Sequence, residues 1–404
     1  MTTSSKPPNP LRQWSSQFAL FVGALLAALL CLEIGFRLAR RGEIGFDRLG
    51  WQEQTGGKQS GRIYEKTPEF EFSTTTNTLG FRGPEIAIEK APGTKRLLVL
   101  GDSFTFGWGV NDDQLFTTHL EKQLQQSRNR YQIINTSGGS LSPLVYYVRL
   151  KNSYLRLDPN VVLVFLNYAD LREDFSFKKN VRRDERGEIL EINPLYTDGH
   201  LDTWRWLRSQ SEFLSFTYNK FNRTFRRIQI LGLWRYIKTK LRGESVRDAM
   251  FEGDPAGPDR DAIEYDAYFM LRDHVKPELI QKHLAETTEY IAKMHELIKA
   301  RKASLILVLL PNGAQVGSGQ WSQGRLRWGF DPGRLYESPL MIEGIASFAK
   351  NHGIGFVNMI DALKKHDSQR LFFERDGHFR PEGHAALAEG LMASPEVRAA
   401  LSLP

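Results

Sequence analysis

The chain has 404 residues, of which 41% are hydrophobic and 25% charged, with a formal net charge of +7. This is globular composition, enough for one large domain or two small ones, and the mild positive excess fits an anionic surface or polymer without identifying one. Cys31 is the only cysteine, which excludes a disulfide framework, a cysteine nucleophile and a cysteine-ligated zinc; no zinc-finger spacing or RNA-binding aromatic motif occurs, so no nucleic-acid partner is expected.

Taken in chain order, the first element is FALFVGALLAALLCL (Phe18 to Leu32), which has no charge. With the residues up to Phe36 it reaches about 20 residues, the length of one membrane span. A cleaved signal peptide would look similar, but no small-x-small site follows the run, which ends in GFRLARR. An uncleaved anchor within residues 1–41 is expected, with membrane lipid as its partner. Lys6 and Arg12 flank one side, and Arg37, Arg40 and Arg41 the other, so charge counting slightly favours a cytoplasmic C-terminal part.

Residues 42–90 are polar and read as a juxtamembrane linker and entry segment. The α/β domain is expected over 91–395. KRLLVL before Gly101 is its first strand, followed by a helix over Asp112 to Gln126. YQIIN (Tyr131 to Asn135), NVVLVFLNY (Asn160 to Tyr168), ASLILVLLP (Ala303 to Pro311) and GFVNMID (Gly355 to Asp361) are further strands. Helices are expected over Pro277 to Lys302, Pro339 to Gly353 and Gly383 to Met392. Continuous Val/Ile/Leu runs alternating with helices predict a parallel sheet covered on both faces, with sites at the C-terminal ends of its strands. The rhythm breaks at about 172–276, too long for a simple connection, so a helical insertion is expected there.

The chemistry centres on GDSFTFGWG (Gly101 to Gly109). A strand-turn-helix context exposes a serine hydroxyl, and Gly101 permits the sharp turn. Alone, the motif also fits an ordinary loop. A serine nucleophile needs a base, an orienter for that base and oxyanion donors. ERDGHFRPEGHAALAEGL (Glu374 to Leu391) supplies Asp376 and His378 in a loop before a terminal helix. A second DGH, Asp198 to His200, lies in the insertion and reads as coincidental. His384 follows His378 by six residues, but no third ligand accompanies the pair, so no metal and no cofactor are expected.

LVLGDSFTFGWGV, IINTSGGSLSPL, VVLVFLNYADL and DGHFRPEGHAALAEG, in that order, resemble the SGNH/GDSL hydrolase superfamily. LEIGFRL and NTLGFRGPEI resemble its bacterial membrane-anchored branch. The likeness covers residues 77–170 and about 300–392. It implies a flavodoxin-like three-layer α/β/α sandwich, with Ser103 as nucleophile and oxyanion donor, His378 as base and Asp376 as its orienter. Ser140, or Gly139 before it, falls on the oxyanion glycine of the second block. The third block departs from the family: Ala169 stands where an asparagine side chain would donate. Asn167, two residues earlier, would substitute only if the strand end bulged. The resemblance implies an inner-membrane, extracytoplasmic serine esterase or O-acyltransferase, acting on an acylated glycan or small ester, acetyl foremost. The alternative is a non-catalytic assembly protein for polysaccharide or cell wall.

One segment stays outside that reading. FLSFTYNKFNRTFRRIQILGLWRYIKTKLRG (Phe213 to Gly243) carries eight basic residues and no acidic one. It reads either as a helical arm whose aromatics pack on the sheet, or as an interfacial segment that meets anionic lipid; an anionic glycan would fit the same residues.

Overall fold

The computed structural model describes residues 10–39, 61–127, 129–139, 141–193, 196–197, 200–243, 268–271 and 275–403. The apolar N-terminal run forms helix α1 (Pro10–Ala39). Its stretch Gln17–Gly35, with mean hydropathy 2.4, is long and apolar enough to cross a membrane, and none of it is buried among the described residues.

The segment expected as linker and entry is more ordered than its polarity suggested. Strands β1 (Gly61–Lys66) and β2 (Glu71–Thr76) pair as an antiparallel hairpin. Ile63, Phe70 and Phe72 pack against Phe106 and Phe373, with Trp108 alongside. The hairpin is therefore fastened to the main domain by aromatic contacts across some three hundred residues of sequence.

The main sheet follows in chain order: β3 (Thr94–Leu100), helices α2 (Ser103–Phe106) and α3 (Phe116–Leu124), β4 (Arg130–Asn135), α4 (Pro143–Asn152), β5 (Val161–Leu166) and α5 (Asp170–Lys178). The insertion then contributes two small antiparallel pairs, β6 (Val181–Arg183) with β7 (Ile189–Ile192) and β8 (Tyr196–Thr197) with β9 (His200–Leu201). It continues as helices α6 (Thr203–Ser209), α7 (Glu212–Leu231) and α8 (Leu233–Leu241). The α/β rhythm resumes with α9 (Pro277–Lys299), β10 (Ser304–Leu309), α10 (Gly313–Val316), α11 (Ser322–Arg327), α12 (Pro339–His352), β11 (Gly355–Asn358), α13 (Ile360–Lys364), α14 (Pro381–Ala393) and α15 (Pro395–Leu401).

Five strands form one parallel sheet in the order β11-β10-β5-β3-β4. Counted along the chain this is the flavodoxin-like order, with its switch point between β3 and β5. The Val/Ile/Leu runs are buried on both faces: all six residues of β5 are inaccessible. Helices α4, α5, α9 and α12 pack together on one side, and α3, α13, α14 and α15 on the other. Several strand ends fall short of the apolar runs. β5 stops at Leu166, because Asn167 to Asp170 turn directly into α5. The expected helix from Asp112 opens as a 3-10 turn over Asp112–Gln114 before α3.

Candidate active site

The turn that carries Ser103 is built from side chains that leave it little freedom. A Cβ on Gly101 would sit 2.2 Å from Thr105 Oγ1, so only glycine fits where β3 leaves the sheet. Asp102 caps α2, its Oδ1 accepting the Phe104 N–H at 3.0 Å. Its Oδ2 accepts the Asn167 side-chain amide at 2.6 Å, across the switch point from the end of β5. Asn167 is itself fixed at both ends. Its Oδ1 accepts the Ala169 N–H at 2.7 Å, and its own N–H donates to Asp170 Oδ2 at 2.6 Å. The Tyr146 hydroxyl donates to the other Asp170 oxygen at 3.3 Å. Burial raises the pKa of both Asp102 and Asp170; at Asp102, the His378 charge acts in the opposite direction.

The histidine arrives from the loop before α14. Ser103 Oγ lies 2.7 Å from His378 Nε2, and His378 Nδ1 lies 2.5 Å from Asp376 Oδ1. Gly377, at φ +89°, makes the turn that lets residues two apart meet. The Phe104 ring lies against the imidazole with centroids 4.4 Å apart. The loop is closed by Phe373 N–H to His378 C=O at 2.9 Å and Gly377 N–H to Phe373 C=O at 3.1 Å. From outside it is held by Glu69, in the β1–β2 turn. One Glu69 oxygen accepts the Arg375 N–H and the other the Asp376 N–H, each at 2.8 Å.

The loop after Ser103 has its own clamp. The buried Arg82 guanidinium donates to the carbonyls of Phe106, Gly107 and Val110 at 2.9, 2.8 and 2.7 Å. Its Nε pairs with Asp112 at 2.8 Å. Burial lowers the guanidinium pKa and the Asp112 charge offsets this. Arg82 belongs to NTLGFRGPEI, a stretch the sequence marks without showing what it does.

Ser103, His378 and Asp376 are thus brought together, and Asn167 lies directly behind them. Asn167 does not bulge toward the space in front of Ser103: it is buried, and its amide holds Asp102. Gly139 is half-buried in the loop after β4, while the N–H of Gly138 is committed to the Gly101 carbonyl at 3.2 Å. Ser140 and Asp198 lie outside the described residues. His200 is exposed on β9, and His378, not His200, meets Ser103. His384 is buried, stacked on Phe116 with the rings within 7° of parallel. Glu69 escaped the sequence reading, since an acid in a polar stretch carries no signal of a partner at residues 375 and 376.

A five-stranded parallel sheet of flavodoxin-like order places a serine at the end of its first strand, and that serine meets a histidine held by an aspartate two residues before it. Fold and site together define a flavodoxin-like α/β protein with a serine–histidine–aspartate arrangement at the C-terminal ends of its strands. No family model matches the chain, and no curated protein matches it. Among solved structures it is similar to TesA (13% identity, 76% of this chain and 99% of that one, TM-score 0.37). It is similar to a catalytic mutant of Axe2, an acetylxylan esterase from Geobacillus stearothermophilus (12%, 77% and 95%, TM-score 0.38). A third is a putative lipolytic protein of the G-D-S-L family from Desulfitobacterium hafniense DCB-2 (15%, 73% and 97%, TM-score 0.34).

Proposed function

We propose that the chain is a membrane-anchored serine esterase or O-acyltransferase of the SGNH kind, acting on acyl esters, acetyl foremost, of an envelope glycan. The observation that carries the reading is the continuous line from Ser103 Oγ through His378 to Asp376, at 2.7 and 2.5 Å. In the first half-reaction Ser103 Oγ attacks the ester carbonyl and its proton passes to His378 Nε2. Asp376 accepts the Nδ1–H and stabilises the imidazolium. The imidazolium then protonates the departing alcohol, leaving an acyl-serine. In the second, His378 deprotonates water, or a sugar hydroxyl in the transferase case, which attacks the acyl carbonyl and regenerates Ser103. The backbone amides of Ser103 and of Gly139 or Ser140 are the proposed oxyanion donors. The glycan and acetyl assignments rest on the resemblance of the motifs and on the anchor.

A second reading, a non-catalytic assembly protein, is favoured by one observation. The Ala169 side chain offers no donor, its N–H is given to Asn167 Oδ1, and the Asn167 amide is engaged by Asp102. A missing oxyanion donor costs on the order of 10² to 10³ in rate. Treatment of spheroplasts with a membrane-impermeant fluorophosphonate separates the readings. Labelling of the wild type, and none of Ser103→Ala, is expected. Labelling only after lysis would leave the esterase but move it to the cytoplasmic side, as the flanking charges favour. No labelling under either condition would establish the non-catalytic reading.

A further inference from the structure

Helices α6 to α8 are tied to the end of α1 by polar contacts. Glu33 sits near the C-terminal end of the apolar stretch Gln17–Gly35. Its Oε2 accepts the Ser211 hydroxyl at 2.7 Å and the Phe213 N–H at 3.0 Å, at the start of α7. Its Oε1 accepts Arg37 Nε at 2.6 Å, and Arg37 also donates to the Gln210 carbonyl at 3.1 Å. A carboxylate at the head of α7 satisfies an otherwise unpaired helical N–H and suits the helix dipole. These contacts join α7 to α1 at the level where a span would leave the hydrocarbon.

The three helices turn large apolar side chains outward. Trp204, Trp206, Phe221, Phe225, Trp234 and Leu241 are all exposed, Trp234 and Leu241 by 83% and Phe221 by 68%. This overturns the expectation of aromatics packed on the sheet. Phe221 and Phe225 lie one turn apart with their rings within 12° of parallel. Exposed Lys220, Arg235, Lys238, Lys240 and Arg242 accompany them, in a stretch that holds no acid from Phe213 to Gly243. Apolar and aromatic residues interleaved with cations, continuous with the end of a membrane-spanning helix, match one environment: the interfacial layer of an anionic bilayer.

We propose that residues 203–242 form an in-plane platform that inserts its aromatic side chains into the headgroup region of an anionic membrane, docked on α1 through Glu33 and Arg37. The platform holds the domain at a fixed height above the bilayer. The inference rests on α1 spanning that membrane.

The test uses the full chain with Cys31→Ala, reconstituted in vesicles of phosphatidylethanolamine and phosphatidylglycerol. A single cysteine is introduced at Leu25→Cys, Phe225→Cys or Trp234→Cys and labelled with an environment-sensitive fluorophore. All three positions are exposed, so folding is not at stake. The expected result is quenching at 225 and 234 by a nitroxide carried just below the headgroups, with iodide quenching reduced by about threefold or more against the free dye. At 25, a deep nitroxide should quench and iodide should not. Full iodide access at 225 and 234, with 25 protected, would overturn the platform and leave the anchor; that is also the outcome if the basic face takes an anionic glycan. Iodide access at 25 as well would overturn the anchor and the platform with it.

Discussion

Asn167 shows how a single residue can carry two opposite expectations. Read from the third-block resemblance, it is a substitute oxyanion donor that needs the strand end to bulge. In the structure it is buried, 2% exposed, and donates to the Asp102 carboxylate that caps the turn carrying Ser103. Removing the amide leaves a buried carboxylate with one donor fewer, at a cost of order 1–3 kcal/mol. Asn167→Ala is therefore expected to lower the unfolding free energy by about 2 kcal/mol, and turnover falls because Ser103 is no longer held. Urea unfolding of wild type and variant measures this. An unchanged midpoint with turnover down about 10²-fold would return Asn167 to the oxyanion role.

Among the elements, the hairpin β1–β2 depends on contacts that no local pattern could reveal. The sheet strands were legible because Leu97 to Leu100 and Val161 to Leu166 are unbroken apolar runs, and only a parallel strand covered on both faces calls for that. GRIYEK and EFSTTT are half polar, and their pairing is fixed by Phe70 and Phe72 meeting Phe106 and Phe373. Ser103, His378 and Asp376 were legible through motif order, whereas Glu69 was not, because its partners are backbone amides of a distant loop. That carboxylate bridges the N–H groups of Arg375 and Asp376 and so sets where Asp376 meets His378. Glu69 is a positioning residue, and displacements of about an ångström at such sites cost up to about 10²-fold. Glu69→Ala is expected to lower kcat on p-nitrophenyl acetate by about 10- to 100-fold with KM nearly unchanged. Glu69→Gln, which keeps one acceptor, should recover part of the loss. A rise in KM at constant kcat would instead make the hairpin a substrate wall.

At the scale of the whole molecule, the buried titratable groups oppose one another as pH falls. His384 is inaccessible, and neither ring nitrogen has a hydrogen-bond partner among the described residues. Burial, with Arg82 as the next cause, pushes its pKa down to about 3 from the usual 6.5. The unfolded chain takes up this proton below pH 6.5 and the folded chain does not until about 3. Stability from this group is complete above 6.5 and is lost as pH falls, by about 2 kcal/mol at pH 5. Asp174 has the other sign. Burial lifts its carboxyl to about 6 from 3.8, although the Leu144 N–H and the Thr287 hydroxyl both donate to it at 2.7 Å. The folded protein therefore binds this proton first, and acidification from 6 toward 3.8 removes a penalty that is fully present above 6. At pH 5 that relief is about 1 kcal/mol, which offsets roughly half of the His384 loss in the wild type. His384→Leu exposes the imbalance. Leucine fills a similar volume between Phe116 and Phe379, and it removes both unpaired nitrogens. The variant's gain over wild type is expected to grow by about 2 kcal/mol between pH 7.5 and pH 5. Its urea midpoint in detergent should then rise on acidification, because Asp174, like Asp102 and Asp170, binds its proton more readily in the folded protein. A gain that is the same at both pH values would show that His384 titrates normally and that its burial is relieved before the protein unfolds.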